Sequence, residues 1–371
     1  MSSCKVMVVD DSALMRRLLT QLLSQAGHQV TSARNGREAV ETLLSYQPDV
    51  VTLDINMPEM DGLTALSLIM AARPTPVIMV SSLTERGALA TMEALALGAV
   101  DFVAKPGGTI SLSIDDIKDQ LLEKVKAARR ARMKPARLGA EPSAPRALPS
   151  SSSADFRAKA PVVAPSSPGA SRPVTVRSGA DSTGVVLIGV STGGPRTLED
   201  ILPVLPADFP WPIVVAQHMP ANFTFAFAER LNQQCALTVR EVDQTMPLER
   251  GHAYIGRGGH DVVVVERLGR LAVTLRPESP EHLWHPSVDM LVDSASALLP
   301  PQRLIGVQLT GMGYDGARAM AALHKAGGKT IAESRDTAVV FGMPMELIER
   351  GGASVVLPCH QVADQLRKWA R

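Results

Sequence analysis

Along residues 5–126, short β-branched apolar runs alternate with stretches in which apolar residues recur every three to four positions. The runs Lys5–Val9, Gln29–Ala33, Val50–Asp54, Val77–Ser81 and 102–104 predict strands. Between them, 13–26 and Gly36–Tyr46 predict amphipathic helices. This alternation predicts a parallel sheet covered by helices on both faces. From about residue 127 to 183 the pattern collapses into Pro, Ala, Ser and Arg with almost no acids, a composition that cannot bury a core and predicts a mobile basic linker. From Gly184 the rhythm resumes with VVLIGV, IVVAQ, LIGVQLT and KTIAE as strands. Helices are expected near 223–232, 288–299 and 317–326. A β-rich insert is expected from 237–242, 252–255, 262–265 and 271–275. Residues 1–126, 127–183 and 184–371 are therefore read as domain, linker and second α/β domain, with no internal repeat between the two domains.

Composition narrows this picture. At 371 residues the chain exceeds one ordinary core. Hydrophobic content of 45%, charged content of 20% and aromatic content of 4% describe a globular protein with aliphatic cores. A net charge of +1 gives no electrostatic argument for nucleic acid or an anionic membrane as partner. The three cysteines, Cys4, Cys235 and Cys359, have neither metal-ligand nor redox spacing, which suits a reducing compartment. The opening apolar run, residues 6–9, is too short for a signal-peptide core, and no stretch approaches about 18 apolar residues. A cytoplasmic protein without membrane insertion is expected.

Four strand ends of the first domain carry polar residues: Asp10 and Asp11, Asp54, Ser81, and Lys105. A parallel α/β sheet places its ligand at such ends. Carboxylates gathered there suit a hard divalent cation such as Mg²⁺, and one of them can accept a phosphoryl group while Lys105 and a hydroxyl neutralise its oxygens. Each residue alone reads as a turn or cap; the joint pattern is what carries weight. Through VMVVDDSALMRRLL, VVTLDINMPEMDGL, PVIMVSS and GAVDFVAKP, residues 5–124 resemble response-regulator receiver domains. The resemblance implies a flavodoxin-like (βα)5 fold and Asp54 as phosphoacceptor. It also implies Mg²⁺ held by Asp10, Asp11, Asp54 and the carbonyl of Asn56, with Ser81, Phe102 and Lys105 as switch residues.

The second domain opens with a Gly-x-Ser-x-Gly turn, residues 189–193, which projects Ser191 from a strand end. Such a turn also suits a nucleotide phosphate. His218 and Asp315 follow two other strands and supply the base and the orienting acid that a hydroxyl nucleophile needs. Asp315 reads equally well as an N-cap of the helix after it. His252, His260, His282 and His285 lack metal-site spacing and read as structural or substrate-lining. The order Ser, His, Asp departs from that of α/β-hydrolases.

IGVSTGGPRTL, VVAQHMPANFTFAFAERLN, LERGHAYIGRGGHDVVV, HPSVDMLVDSA, LTGMGYDGARAM and VVFGMP resemble the catalytic domain of the CheB family of chemotaxis protein-glutamate methylesterases. The resemblance implies a Rossmann-like doubly wound domain with the β-rich insert and a Ser191–His218–Asp315 acyl-enzyme mechanism. It implies the Met312 N–H as oxyanion donor and no cofactor for the esterase. Its implied substrates are methyl-accepting chemotaxis receptors, with receptor glutamine as a second one, and its phosphodonor is a chemotaxis histidine kinase. Tyr314, Gly256, Arg257, Glu333 and Arg335 depart from the family pattern. A non-catalytic module that only binds receptors is the alternative from another class.

Overall fold

The computed structural model describes residues 3–82, 84–105, 114–133 and 184–371, without the side chains of residues 85 and 114–116. Most of the linker expected at 127–183 lies outside them. The first domain runs β1 (Lys5–Val9), α1 (Ala13–Gln25), β2 (Gln29–Ala33), α2 (Gly36–Tyr46), β3 (Val50–Asp54) and α3 (Gly62–Ala72). It continues through β4 (Val77–Ser81), α4 (Glu85–Leu97), β5 (Asp101–Ala104) and α5 (Ile114–Arg129). Its five strands pair in parallel in the order β2-β1-β3-β4-β5, so the connection direction reverses between β1 and β3. The helix starts follow local chemistry: the Ser12 hydroxyl accepts from Met15 N, and the Asn35 carboxamide accepts from Glu38 N. α5 extends to Arg129, using residues that the composition assigns to the linker.

The second domain runs β6 (Val185–Val190), α6 (Gly194–Ile201), β7 (Ile213–Gln217), α7 (Ala221–Gln234), β8 (Thr238–Val242), β9 (Met246–Pro247) and β10 (His252–Gly256). It continues through β11 (Asp261–Arg267), β12 (Arg270–Arg276), α8 (Val288–Ser296), β13 (Leu304–Gln308), α9 (Ala317–Lys325) and β14 (Lys329–Glu333). α10 (Met343–Glu349), β15 (Val355–Leu357) and α11 (Cys359–Trp369) complete it. Seven parallel strands form one sheet in the order β15-β14-β13-β6-β7-β10-β8. Of the four segments expected in the insert, β8 and β10 therefore belong to the main sheet. β11 and β12, with β9, make a separate antiparallel three-stranded sheet. The chain leaves β6 toward β7 on one side and later returns to place β13 on the other. The ends of β6 and β13 thus flank a switch point, where such sheets bind ligands.

Both domains fall in one compact unit. The Phe102 ring at β5 packs against Phe223 of α7 with centroids 4.3 Å apart. Arg132, just past α5, donates its backbone N–H to Val339 and its guanidinium to the Arg335 carbonyl. No helix of the described residues is long and apolar enough to cross a membrane.

Candidate functional site

In the first domain, β1 delivers Asp10 and β3 delivers Asp54, both buried, while Asp11 is exposed. Their carboxylate oxygens lie within 4.8 Å of one another, as a divalent cation requires. Lys105 Nζ bridges Asp54 at 2.8 Å and Asp10 at 3.0 Å. Burial pushes the Asp54 carboxyl above the usual range, although Lys105 beside it acts the other way. Burial would lower Lys105, but Asp54 and Asp10 outweigh it and raise its pKa. Carboxylates crowded and buried beside a single lysine leave the site short of positive charge, which suits a divalent cation. Asn56 lies in the turn after β3. Ser81 is buried, and its hydroxyl donates to the Gly87 carbonyl at 3.2 Å, toward α4. Phe102 is turned into the core against Phe223.

In the second domain, Ser191 follows the last residue of β6. Gly193 takes φ +80°, and a Cβ there would lie 2.5 Å from Val339 Cβ, so the sharp turn into α6 requires glycine. Ser191 N donates to Thr310 O, and His218 N donates to Val190 O, so β6, β7 and the turn after β13 are locked side by side. Gln217 reinforces this by donating to the Ser191 carbonyl at 3.0 Å. A Cβ on Gly311 would lie 2.7 Å from Ser191 Cβ, so the turn carrying Met312 lies directly against the candidate nucleophile.

His218 Nε2 lies 2.9 Å from Asp315 Oδ2. Nδ1 is buried without a partner, which leaves it as the nitrogen open to a hydroxyl. With Nε2–H donated to the acid, the neutral ring presents a lone pair at Nδ1. Asp315 does not cap α9, whose N-cap is Gly316. It instead faces the start of α8, where Val288 N donates to Oδ2 at 2.7 Å, and Asp289 N and the Ser287 hydroxyl donate to Oδ1 at 3.1 Å. Burial alone would push Asp315 up, but His218 and these N–H donors outweigh it and hold its pKa below the usual carboxylate range. An ionised acid that fixes the ring and a free ring nitrogen beside a serine elbow can activate that serine for acyl transfer.

Trp284 and Thr192 were not singled out from sequence, whereas Tyr314 and Glu333 were noted there as departures from the family pattern. Trp284 stacks on His218 with centroids 5.6 Å apart and planes 2° from parallel, and Tyr314 meets Trp284 edge-on at 5.1 Å. Thr192, next to Ser191, donates its hydroxyl to Asp101 of the first domain at 2.6 Å. Thr192 occupies a variable position of the serine motif, and nothing in the pattern marks it. Glu333 is buried, and its Oε2 accepts from Thr310 N at 2.8 Å, so this departure braces the wall behind Ser191. Among the described residues, the metal-type cluster is the aspartate trio of the first domain, and the histidines form none.

Comparison with known proteins shows the family. The CheB methylesterase family model matches residues 186–366, and the response regulator receiver domain model matches residues 6–113. A protein-glutamate methylesterase/protein-glutamine glutaminase of Rhodospirillum rubrum is 54% identical over 98% of this chain and 96% of its own length. One from Rhodopseudomonas palustris is 47% identical over 98% of each. The solved catalytic domain of Thermotoga maritima CheB methylesterase is 39% identical, with a TM-score of 0.49, covering 50% of this chain and 98% of its own. With its receiver domain ahead of its catalytic domain, the chain belongs to the CheB methylesterase family.

Proposed function

We propose that this chain hydrolyses glutamyl methyl esters on methyl-accepting chemotaxis receptors, releasing methanol under the control of its own receiver domain. The observation that carries the reading is the His218–Asp315 pair at 2.9 Å, set beside the Ser191 elbow at the sheet's switch point. Ser191 Oγ attacks the ester carbonyl carbon as its proton passes to His218 Nδ1. The Met312 N–H meets the resulting oxyanion; losing one such donor typically costs about 3 kcal/mol. The bond to the methoxy oxygen then breaks, and methanol leaves with the proton from His218. Water repeats the sequence on the acyl-enzyme and frees the glutamate carboxylate. Receptor glutamine enters the same chemistry with ammonia as the leaving group.

In the receiver, residues 1–126, Asp54 accepts the phosphoryl group from a chemotaxis histidine kinase. Asp10, Asp11, Asp54 and the Asn56 carbonyl would hold Mg²⁺, which supplies charge neutralisation when bound. Lys105 steadies the transferred oxygens. Ser81 and Phe102 then rearrange. The unphosphorylated receiver restrains the catalytic half, residues 184–371, through Asp101–Thr192 and Phe102–Phe223, with 127–183 as tether. The protein acts in the cytoplasm, where receptor signalling bundles and the kinase meet it.

The test is methanol release from a methylated receptor fragment by the parent, Ser191→Ala and His218→Ala, with and without a small-molecule phosphodonor and Mg²⁺. Release that vanishes in both variants and rises with the phosphodonor in the parent is expected. Release that persists in Ser191→Ala sinks the mechanism, and none from any methylated fragment favours a receptor-binding role.

A further inference from the structure

Asp261, the first residue of β11, is a fully buried carboxylate with no part in the steps above. A buried carboxylate is costly unless hydrogen-bonded, and all three of its donors come from one segment. Ser279 N donates to Oδ2 at 3.0 Å, His285 Nδ1 to Oδ1 at 3.1 Å, and Ser287 N to Oδ1 at 2.8 Å. The same segment, residues 279–287, carries both side chains that hold the triad from outside. Trp284 lies flat on the His218 ring, and the Ser287 hydroxyl donates to Asp315 Oδ1 at 3.1 Å. Trp284 is also pressed against the oxyanion turn, where a Cβ on Gly313 would lie 2.8 Å from its ring. One carboxylate thus sets the path of a loop that touches base, acid and oxyanion turn together.

We infer that Asp261 is a positioning residue for acyl transfer, acting through Ser287 and Trp284 to keep His218 and Asp315 in register. The inference rests on the Ser191–His218–Asp315 reading. Its content is kinetic: the loop need not bind the receptor, so kcat should fall while KM stays. Misplacing a catalytic group by about 1 Å can cost about 100-fold in rate.

The experiment uses the full chain with phosphodonor and compares the parent with Asp261→Asn, Ser287→Ala, Trp284→Phe, Trp284→Leu, His285→Gln and the Asp261→Asn/Ser287→Ala double variant. Methanol-release kinetics, the rate of Ser191 labelling by a fluorophosphonate, and melting temperature are read for each. Asp261→Asn is expected to lose about 10- to 100-fold in kcat and in labelling rate, with KM within about threefold. Trp284→Phe is expected to keep most of the rate that Trp284→Leu loses. Residues acting through one link are not additive, so the double variant should fall no more than about threefold below the worse single. A full multiplicative loss, an unchanged kcat, or a loss confined to KM overturns the inference. If Asp261→Asn does not fold, His285→Gln and Ser287→Ala decide it: parallel falls in kcat and labelling support the inference, and unchanged rates end it. Ser191→Ala, run alongside, separates the two readings, because activity surviving there removes the triad itself.

Discussion

The Thr192 hydroxyl donates to Asp101 Oδ2 at 2.6 Å, joining the residue after the candidate nucleophile to the strand that carries Phe102. The other oxygen of Asp101 is taken by Lys124 Nζ at 2.6 Å and Phe102 N at 2.8 Å, so the carboxylate is fixed within the receiver and offers Oδ2 outward. A hydrogen bond to a charged acceptor contributes about 1.5–3 kcal/mol, and 1.4 kcal/mol is tenfold in an equilibrium. Thr192→Val keeps the shape and removes the bond, leaving a buried oxygen unpaired in the docked state only. Basal methanol release without phosphodonor is expected to rise about tenfold or more, while the phosphodonor-stimulated rate changes little. Asp101→Asn, which leaves Ser191's neighbour intact, should move in the same direction. A basal rate that stays flat in both variants would remove this contact from the restraint.

Lys105 bridges Asp10 and Asp54 at 3.0 and 2.8 Å, so one cation already holds the two buried carboxylates before any phosphoryl group arrives. Asp54→Asn is expected to abolish stimulation by phosphodonor and leave basal release near that of the parent. Chelating Mg²⁺ with excess EDTA should do the same to the parent, because the steps proposed for Ser191, His218 and Asp315 call on no metal. Basal release that collapses with EDTA would show a metal dependence outside the receiver.

What the sequence revealed, and what it hid, follows from sequence distance and strand burial. β1, β3 and β4 were legible because strands buried on both faces read as continuous apolar runs ending in polar residues. β8, TVREV, alternates exposed and buried positions as an edge strand does, and so read as part of an insert rather than the rim of the main sheet. Ser191 and His218 directly follow strands and Asp315 lies in the turn after β13, which is why the sequence pointed to them as a candidate triad. Their supports were not legible: Ser287 reaches Asp315 across 28 residues and Asp101 reaches Thr192 across 91, and no periodicity links such pairs. Ser287 looks like an ordinary helix N-cap, and it is one; that role hides its bond to Asp315.

Cys235 ends α7, and burial, with Glu199 adding to it, pushes its thiol up to about 12. The thiolate is the reactive form, so the native thiol should be nearly inert at pH 8. Iodoacetamide at that pH is expected to modify Cys235 at least about 100-fold more slowly than a free thiol of pKa about 8.5, with full modification in urea. Peptide mapping after timed labelling reads this directly, and rapid native modification would show that the C-terminus of α7 opens.

Asp315 provides a pH signature of its own. Its folded pKa lies below the ordinary value because the His218 imidazole and the α8 N–H groups favour the carboxylate more than burial opposes it. A depressed folded pKa contributes stability that is fully present above the unfolded value, about 3.9, and is lost as pH falls through the lower folded value. Asp315→Asn keeps the shape but cannot carry the charge, so the variant should melt several degrees below the parent at pH 5 to 7. That gap should shrink as the pH drops below about 4, where the unfolded chain's carboxylate takes up its proton before the folded one does. Thermal melts of both proteins across this range decide the point. A gap that widens toward low pH would mean that the protonated acid is the form the native state prefers, and the support that Val288, Asp289 and Ser287 give to an ionised Asp315 would have to be abandoned.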